Sequence, residues 1–471
     1  MTEYSEEREA KVKRYMPYIL ATAIFMQMLD STILNTAIPA IASDLGESPL
    51  NMQGAIISYV LTLALFIPIS GYFADKFGTQ KTFLVSLVIF IIGSVLCASS
   101  QSLNFLIFAR FVQGLGGALM TPVARLALIK TYPRNEYVQA MNYAIIPALL
   151  GPIAGPLVGG YLVEYISWHW IFLINIPFGL LGFYMALKYL PNFEGVNTKL
   201  DYKGFLIFGT ACLLLSVALE YLSELDRIVI VSLLILAGVI LLYLYYLHAK
   251  KVGRSAIFPL HLFQVRTFRV GIVGNLVCRL GVSSIPLLIP LLIQVAYGRS
   301  ASTAGWIIAP MSISVMATKS VVVPILDYFG YRNILKINTL IIGVIIIIIG
   351  FVPQNWNILW YVGILIILGF FNSIQFTTMN AISIADLRDH QTSSGNSLLS
   401  VNQQLSMGFG IGIGLAILRV FKSSEVITNN DVYFAFKYTF IFIGLLTILS
   451  SFVFSRLNYR DGDNLKTKKA K

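Results

Sequence analysis

The residue best placed to do chemistry is Asp30, in the stretch FMQMLDSTILNTAIP, because the run from Pro17 to Ile41 around it carries no other charge. Such a run can cross a bilayer core of about 30 Å at roughly 1.5 Å per residue. An ionised carboxyl at that depth costs about 3 kcal/mol on insertion scales, so it must face protein or a watery cavity. Two uses fit. It can cap or pair with a neighbouring helix, or it can bind a proton. Burial disfavours a charged carboxylate while a nearby guanidinium favours it, so a group held between the two can load and release a proton. If the partner's approach varies with conformation, proton binding becomes tied to shape.

The other buried charges have the opposite sign. Arg125 stands in TPVARLALI, Arg279 in NLVCRLGVSSIPLLIP and Lys319 in SVMATKSVVVP, whereas no acid besides Asp30 lies near the middle of an apolar run and Glu220 lies near an end. Snorkelling to the interface accounts for Arg125 and Lys319. It fits Arg279 poorly, since that residue is about ten positions or more, roughly 15 Å, from either edge of its run. A carrier of lipophilic cations needs carboxylates and aromatic faces, while cationic lining suits anions, and an Arg fork binds a carboxylate bidentately. Asn380, Asn396, Asn402, Gln403 and Gln404 can complete a hydrogen-bonding lining or join helices to one another. Gly151, Gly155 and Gly159 recur every fourth residue with Pro152 and Pro156 beside them, a smooth face suited to close packing and to rocking of one bundle on another.

The elements that must position these groups are membrane spans. Of 471 residues, 57% are hydrophobic and 12% charged, with mean hydropathy +0.77, well away from a soluble domain with about 25% charged residues. Apolar runs lie near 17-41, 51-73, 81-99, 104-130, 137-163, 170-190, 203-222, 228-248, 269-296, 301-325, 334-353, 358-384, 393-420 and 432-455, fourteen in all. An even number puts both termini on one side. The net charge of +12 sits mainly in alternate gaps, with Lys76 and Lys81 in one, Lys130 and Arg134 in the next of that set, and the tail KTKKAK at the end. That pattern places both termini in the cytoplasm and replaces any nucleic-acid reading of the charge. The loops GYFADKFGTQKTF and PILDYFGYRNIL match at Asp75, Phe77 and Gly78 against Asp327, Phe329 and Gly330. Two six-helix bundles with an inserted helix pair account for this repeat. The expected division is 1-190 for the first bundle, 191-268 for the inserted pair with its linkers, and 269-471 for the second bundle and basic tail.

With these motifs in order, the chain resembles the major facilitator superfamily, in its fourteen-helix drug:proton antiporter (DHA2) branch, and most of all the MdtD-type exporters. The resemblance covers essentially the whole chain. LDSTILNTAIP matches the first-helix motif, and GYFADKFGTQK matches the cytoplasmic loop motif at Gly71, Asp75, Lys76 and Gly78. It departs at Thr79 and Gln80, where the family has basic residues. ARFVQGLGGA is similar to the fourth-helix motif, with Arg110 and Gln113, while GPIAGPLVGG resembles the fifth-helix antiporter motif and SWHWIFLINIPFG the opening of the sixth helix. The resemblance implies an all-α polytopic fold, two bundles plus the inserted pair, and Arg110 as the partner of Asp30 in proton coupling.

The combined expectation is a proton-driven exporter in a bacterial inner membrane, acting as a monomer, with the proton gradient as energy source and no cofactor, metal or nucleic acid. Arg279, Lys319, Arg125, Asn380, Asn396 and Gln403 are the candidate cargo residues. Their charge points to a polycarboxylate such as citrate, its iron complex or a citrate-type siderophore. A broad multidrug pump and a passive facilitator are the alternatives. An intramembrane enzyme is disfavoured, because His169, His248, His261 and His390 form no H-E-x-x-H or H-x-x-E-H pattern and Cys97, Cys212 and Cys278 form no paired motif. No receptor output domain interrupts the spans.

Overall fold

A computed structural model describes residues 2–195, 200–222, 227–353, 357, 359–424 and 431–465. Most of the basic tail lies outside them. Among the described residues, fourteen helices are long and apolar enough to cross a membrane. Their ends extend past several of the apolar runs because helices continue through the polar interface; the first reaches from Ala10 to Asp44.

Contacts divide the chain into two compact units, Met1–Leu200 with Ser300–Gly305, and Asp201–Arg299 with Trp306–Lys471. In the first, α1 (Thr2–Asp44), α2 (Gln53–Phe66), α3 (Ser70–Phe77), α4 (Thr79–Ala98), α5 (Leu103–Thr131), α6 (Arg134–Ala148), α7 (Leu150–Tyr165), α8 (Trp170–Leu173) and α9 (Asn175–Tyr189) make six spans. The second holds α10 (Tyr202–Tyr221), α11 (Ile228–Val252), α12 (Arg266–Val282), α13 (Ile285–Leu291), most of α14 (Ala301–Thr318), α15 (Val322–Phe329), α16 (Tyr331–Gly350), α17 (Leu359–Ile384), α18 (Asp389–Ser423) and α19 (Val432–Phe454). The inserted pair α10 and α11 therefore groups with the second unit, where Arg419 of α18 donates to the Glu220 carbonyl at 2.9 Å.

Five of the apolar runs are each divided between two helices, α2 and α3, α6 and α7, α8 and α9, α12 and α13, and α14 and α15. Proline explains three of these breaks, since it removes a helical N–H and crowds the preceding turn. Pro68 sits in the 3-10 turn Ile67–Ile69 between α2 and α3. Pro286 and Pro290 follow the turn at Ser283 and Ser284 that separates α12 from α13. Pro324 leaves the Ser320 carbonyl without its helical donor, and α14 ends at Thr318. Lys319 thus stands on a turn and not, as the run over 301-325 implied, inside a continuous helix.

The two matched loops make the same bend. Gly78 has φ 89° and ψ 155°, Gly330 has φ 75° and ψ 155°, and each ends one helix and begins the next. Positive φ is strained for any side chain, which is why glycine recurs at both sites.

Thr79 and Gln80, the residues that depart from the family loop, fasten this bend to the segment after α9. Thr79 Oγ1 donates to the Pro191 carbonyl at 2.7 Å and accepts from Phe193 N–H at 2.9 Å. Asn192 Oδ1 accepts the N–H groups of Gln80 and Lys81 at 3.1 and 3.3 Å, and Gln80 Nε2 donates to the carbonyls of Ala186 and Leu187, both at 3.1 Å. Orphan donors at the start of α4 and orphan acceptors at the end of α9 are thereby satisfied reciprocally.

Candidate functional site

Asp30 is 1% exposed and is held by side chains of α5 and α9. Its Oδ2 accepts from Arg110 Nη1 at 2.6 Å, and its Oδ1 accepts from Gln113 Nε2 at 2.7 Å and Asn175 Nδ2 at 3.2 Å. Arg110, equally buried, also donates through Nη1 to Gln113 Oε1 at 2.6 Å and through Nε to the Ala55 carbonyl at 3.2 Å. Its guanidinium lies 4.1 Å from the centre of the Tyr59 ring. Ser94 Oγ accepts a further bond from Gln113 Nε2 at 2.9 Å. Arg110 and Gln113 are i and i+3 on α5, so one helix face delivers both to the carboxylate. Removing one partner of such a pair costs about 3–5 kcal/mol, because the other charge stays buried.

The carboxylate is held by donors on both oxygens. A proton arriving there needs a lone pair and then an acceptor for its O–H, so at least one donor must turn away. Asn175 can do so at little cost: its Oδ1 is buried with no hydrogen-bond partner, and reversing the amide presents that oxygen to the carboxyl.

The glycine face packs inside the same unit. A methyl group at Gly151 would stand 3.0 Å from Leu29 N, one at Gly159 would stand 2.6 Å from Thr36 Oγ1, and one at Gly155 would collide with Thr32 Oγ1. Thr32 Oγ1 also reaches the Gly151 carbonyl at 3.4 Å. The stripe on α7 therefore seats α1, the helix that carries Asp30. Pro156 and Gly160 turn instead toward residues 301–305.

In the matched loop, Gly195 N–H donates to the Asp75 carbonyl at 3.0 Å, and Lys76 Nζ lies 3.2 Å from Tyr72 Oη. Gly71 has open space where a side chain would be.

A second polar cluster lies in the other unit. Arg279 occupies the last turn of α12, where the helix dipole favours a cation. Its Nε donates to Asn275 Oδ1 at 2.7 Å, one turn back, and its guanidinium stands 4.2 Å from the centre of the Phe376 ring on α17. Asn275 Nδ2 donates to Asn380 Oδ1 at 3.2 Å, and Gln403 Nε2 of α18 donates to the same oxygen at 2.9 Å. Arg279, Asn380 and Gln403 are each half-buried. Asn402 does a different job, tying α18 to the Ile272 carbonyl at 3.1 Å.

Hydrogen bonds through Asn275 thus join Arg279, Asn380 and Gln403, and Arg125, Lys319 and Asn396 take no part in that chain. Arg125 on α5 and Lys319 on its turn are exposed. Asn396 is exposed two turns from Gln403, with its carbonyl accepting from Ser400 Oγ at 2.9 Å. Sequence reasoning missed Asn175, Ser94 and Tyr59 at the carboxylate, and Asn275 and Phe376 at the arginine. The available signals were an Asn inside the apolar stretch FLINIP and an Asn one helical turn before a buried Arg.

The second unit also contains a buried uncharged cluster. Asn338 Nδ2 donates to Gln375 Oε1 at 2.9 Å, and Gln375 Nε2 donates to Thr339 Oγ1 at 2.7 Å. It carries no carboxylate. Among the described residues no group of three or more His, Cys, Asp or Glu could hold a metal ion.

A sequence profile described as Major Facilitator Superfamily matches residues 20–411 and 271–471. A protein of Serratia proteamaculans, provisionally named multidrug resistance protein MdtD, is 40% identical over 444 residues, which is 93% of this chain and 92% of that protein. Its namesake in Yersinia enterocolitica is 39% identical over 450 residues, 95% and 96% of the two chains. Among solved structures, a peptide transporter POT in complex with sulfate superposes with TM-score 0.70 at 15% identity, over 96% of each chain. A point mutant of the nucleoside transporter NupG gives 0.67 at 12% identity, over 96% of this chain and 100% of that one. Those two likenesses concern the fold alone.

Proposed function

Since the chain belongs to the major facilitator superfamily, and is a multi-pass membrane transporter rather than an enzyme, we propose that it is a proton-driven exporter of a small anionic polycarboxylate. Citrate, an iron–citrate complex and a citrate-type siderophore are the cargo candidates. The setting is the bacterial inner membrane with both termini in the cytoplasm, a placement the basic gaps support, and the working unit is one chain.

One observation carries the choice of cargo. Arg110 is neutralised by Asp30 at 2.6 Å, whereas among the described residues Arg279 meets the neutral Asn275 oxygen and the Phe376 face and no carboxylate. A half-buried guanidinium without a counter-ion favours a negative visitor, and its planar fork suits a carboxylate. Asp30 supplies the coupling. With Asp30 ionised the Arg110 pair is closed; a proton on Asp30 weakens it, and the conformation that favours each state is driven by the gradient. The buried Asn338–Gln375 cluster of the second unit carries no carboxylate, which supports coupling in the first unit and cargo binding in the second.

The relatives' name favours a second reading, a broad pump for lipophilic compounds. Everted vesicles energised by a pH gradient separate the two. Gradient-driven citrate uptake that is lost in Arg279→Ala supports the anion reading. Uptake of an ethidium-like cation with no citrate movement, indifferent to Arg279→Ala, supports the other.

A further inference from the structure

Arg279 sets the polarity of every group joined to it. A guanidinium only donates, so Asn275 must turn its Oδ1 to Nε. Its Nδ2 then faces Asn380, which must answer with Oδ1, and Gln403 must offer Nε2 to that same oxygen. The orientation of each amide follows from the one before it, across α12, α17 and α18. The atoms left at the open edge are therefore fixed in kind. They are the two terminal nitrogens of Arg279 and Nδ2 of Asn380 as donors, with Oε1 of Gln403 as an acceptor. None of these atoms has a hydrogen-bond partner among the described residues, and each belongs to a residue that is only half-buried.

A simple polycarboxylate satisfies the donors but offers nothing to Oε1. A carboxylate beside that oxygen even repels it. A hydroxyl on the same carbon skeleton has the missing hydrogen. Resting on the anionic-cargo reading above, we propose that Gln403 reads a hydroxyl group on the cargo, so that the seat selects a hydroxy-substituted polycarboxylate over its deoxy counterpart. Asn275 is the positioning residue, touching the cargo only through Arg279. Holding Nε leaves the two terminal nitrogens facing outward, and the Phe376 ring at 4.2 Å keeps the guanidinium plane from tilting away. The cost of leaving a polar atom unmatched makes such a site discriminate against an analogue that lacks one hydroxyl.

The test uses the full chain in proteoliposomes with labelled citrate as cargo and unlabelled citrate or tricarballylate as competitor. Tricarballylate keeps the three carboxylates and replaces the hydroxyl by hydrogen. The parent protein should prefer citrate by about tenfold, the size of one partly solvated hydrogen bond. In Gln403→Leu the preference should collapse to about one, with competition by tricarballylate still measurable as proof of an intact site. Asn275→Leu should weaken competition by both acids, since it loosens the arginine that both share, and should also reduce the preference for citrate, since the Asn380 and Gln403 amides lose the group that orients them. Equal competition in the parent protein, or a preference that survives Gln403→Leu, overturns the inference. Two failures are distinguishable. If both acids compete and both need Arg279 but neither is preferred, only the hydroxyl assignment falls. If labelled citrate is not taken up at all, the anionic-cargo reading falls with it.

Discussion

Replacing Asp30 by Asn tests the buried pair without changing its shape. The charge on Arg110 then loses its 2.6 Å partner while remaining 1% exposed. Breaking such a pair from one side costs about 3–5 kcal/mol. The new side chain can keep its oxygen toward Arg110, which turns its NH2 toward the donors of Gln113 and Asn175. Gln113 cannot easily reverse, because its Oε1 holds Arg110 at 2.6 Å. Asn175 can, because its own oxygen is unpartnered, and the bond it recovers returns about 1 kcal/mol. The expected loss is therefore about 2–4 kcal/mol. It is read from unfolding of the purified protein in detergent, beside a second variant in which Arg110→Gln is added to Asp30→Asn. The double variant should regain most of the loss, since no unpaired charge remains. A single variant as stable as the parent, with the double variant worse than either, would show that Arg110 is not stranded and refute the reasoning.

Other outcomes follow from the same geometry. Gly155→Ala pushes a methyl into Thr32 Oγ1 and should cost about 1–3 kcal/mol by overpacking; slower gradient-driven flux should accompany the lower melting temperature, because the displaced helix carries Asp30. Asn192→Ala strips the acceptor from two N–H groups of α4 and should cost about 0.5–1 kcal/mol, the lower range for a helix cap with water nearby; a melting curve unchanged from the parent would contradict that. Arg279→Lys keeps the charge but loses both the Nε bond to Asn275 and the planar fork, so citrate affinity measured by competition should fall at least about tenfold. Lys319→Gln, on an exposed turn, should leave stability within about 0.5 kcal/mol of the parent in a melting curve.

The parts of this fold that sequence makes legible are those governed by one-dimensional patterns. Apolar run length located the fourteen spans, and the Asp-x-aromatic-Gly repeat located the paired bends at Gly78 and Gly330. Breaks inside spans were less visible, because a proline can kink a membrane helix or interrupt it and only the packing decides which. Arg110 and Gln113 were legible through the family motif, but Asn175 was not, since its role depends on α9 lying beside α1 and α4. The same holds for Asn275, whose significance is the turn it shares with Arg279. Cationic residues mislead most: Arg125, Arg279 and Lys319 look alike in a string, and only burial separates the one that is held against Phe376 from the two that are exposed.

The most direct test of proton-driven anion export is to follow both solutes at once. Protein is reconstituted into liposomes carrying a pH-sensitive dye, a citrate gradient is imposed with no initial pH difference, and proton and citrate movements are recorded for the parent and for Asp30→Asn. The account predicts that citrate flowing down its gradient drives protons the opposite way in the parent, and that in Asp30→Asn citrate still exchanges while the dye signal is flat. Citrate movement with no proton signal in the parent, or an undiminished signal in Asp30→Asn, would contradict it.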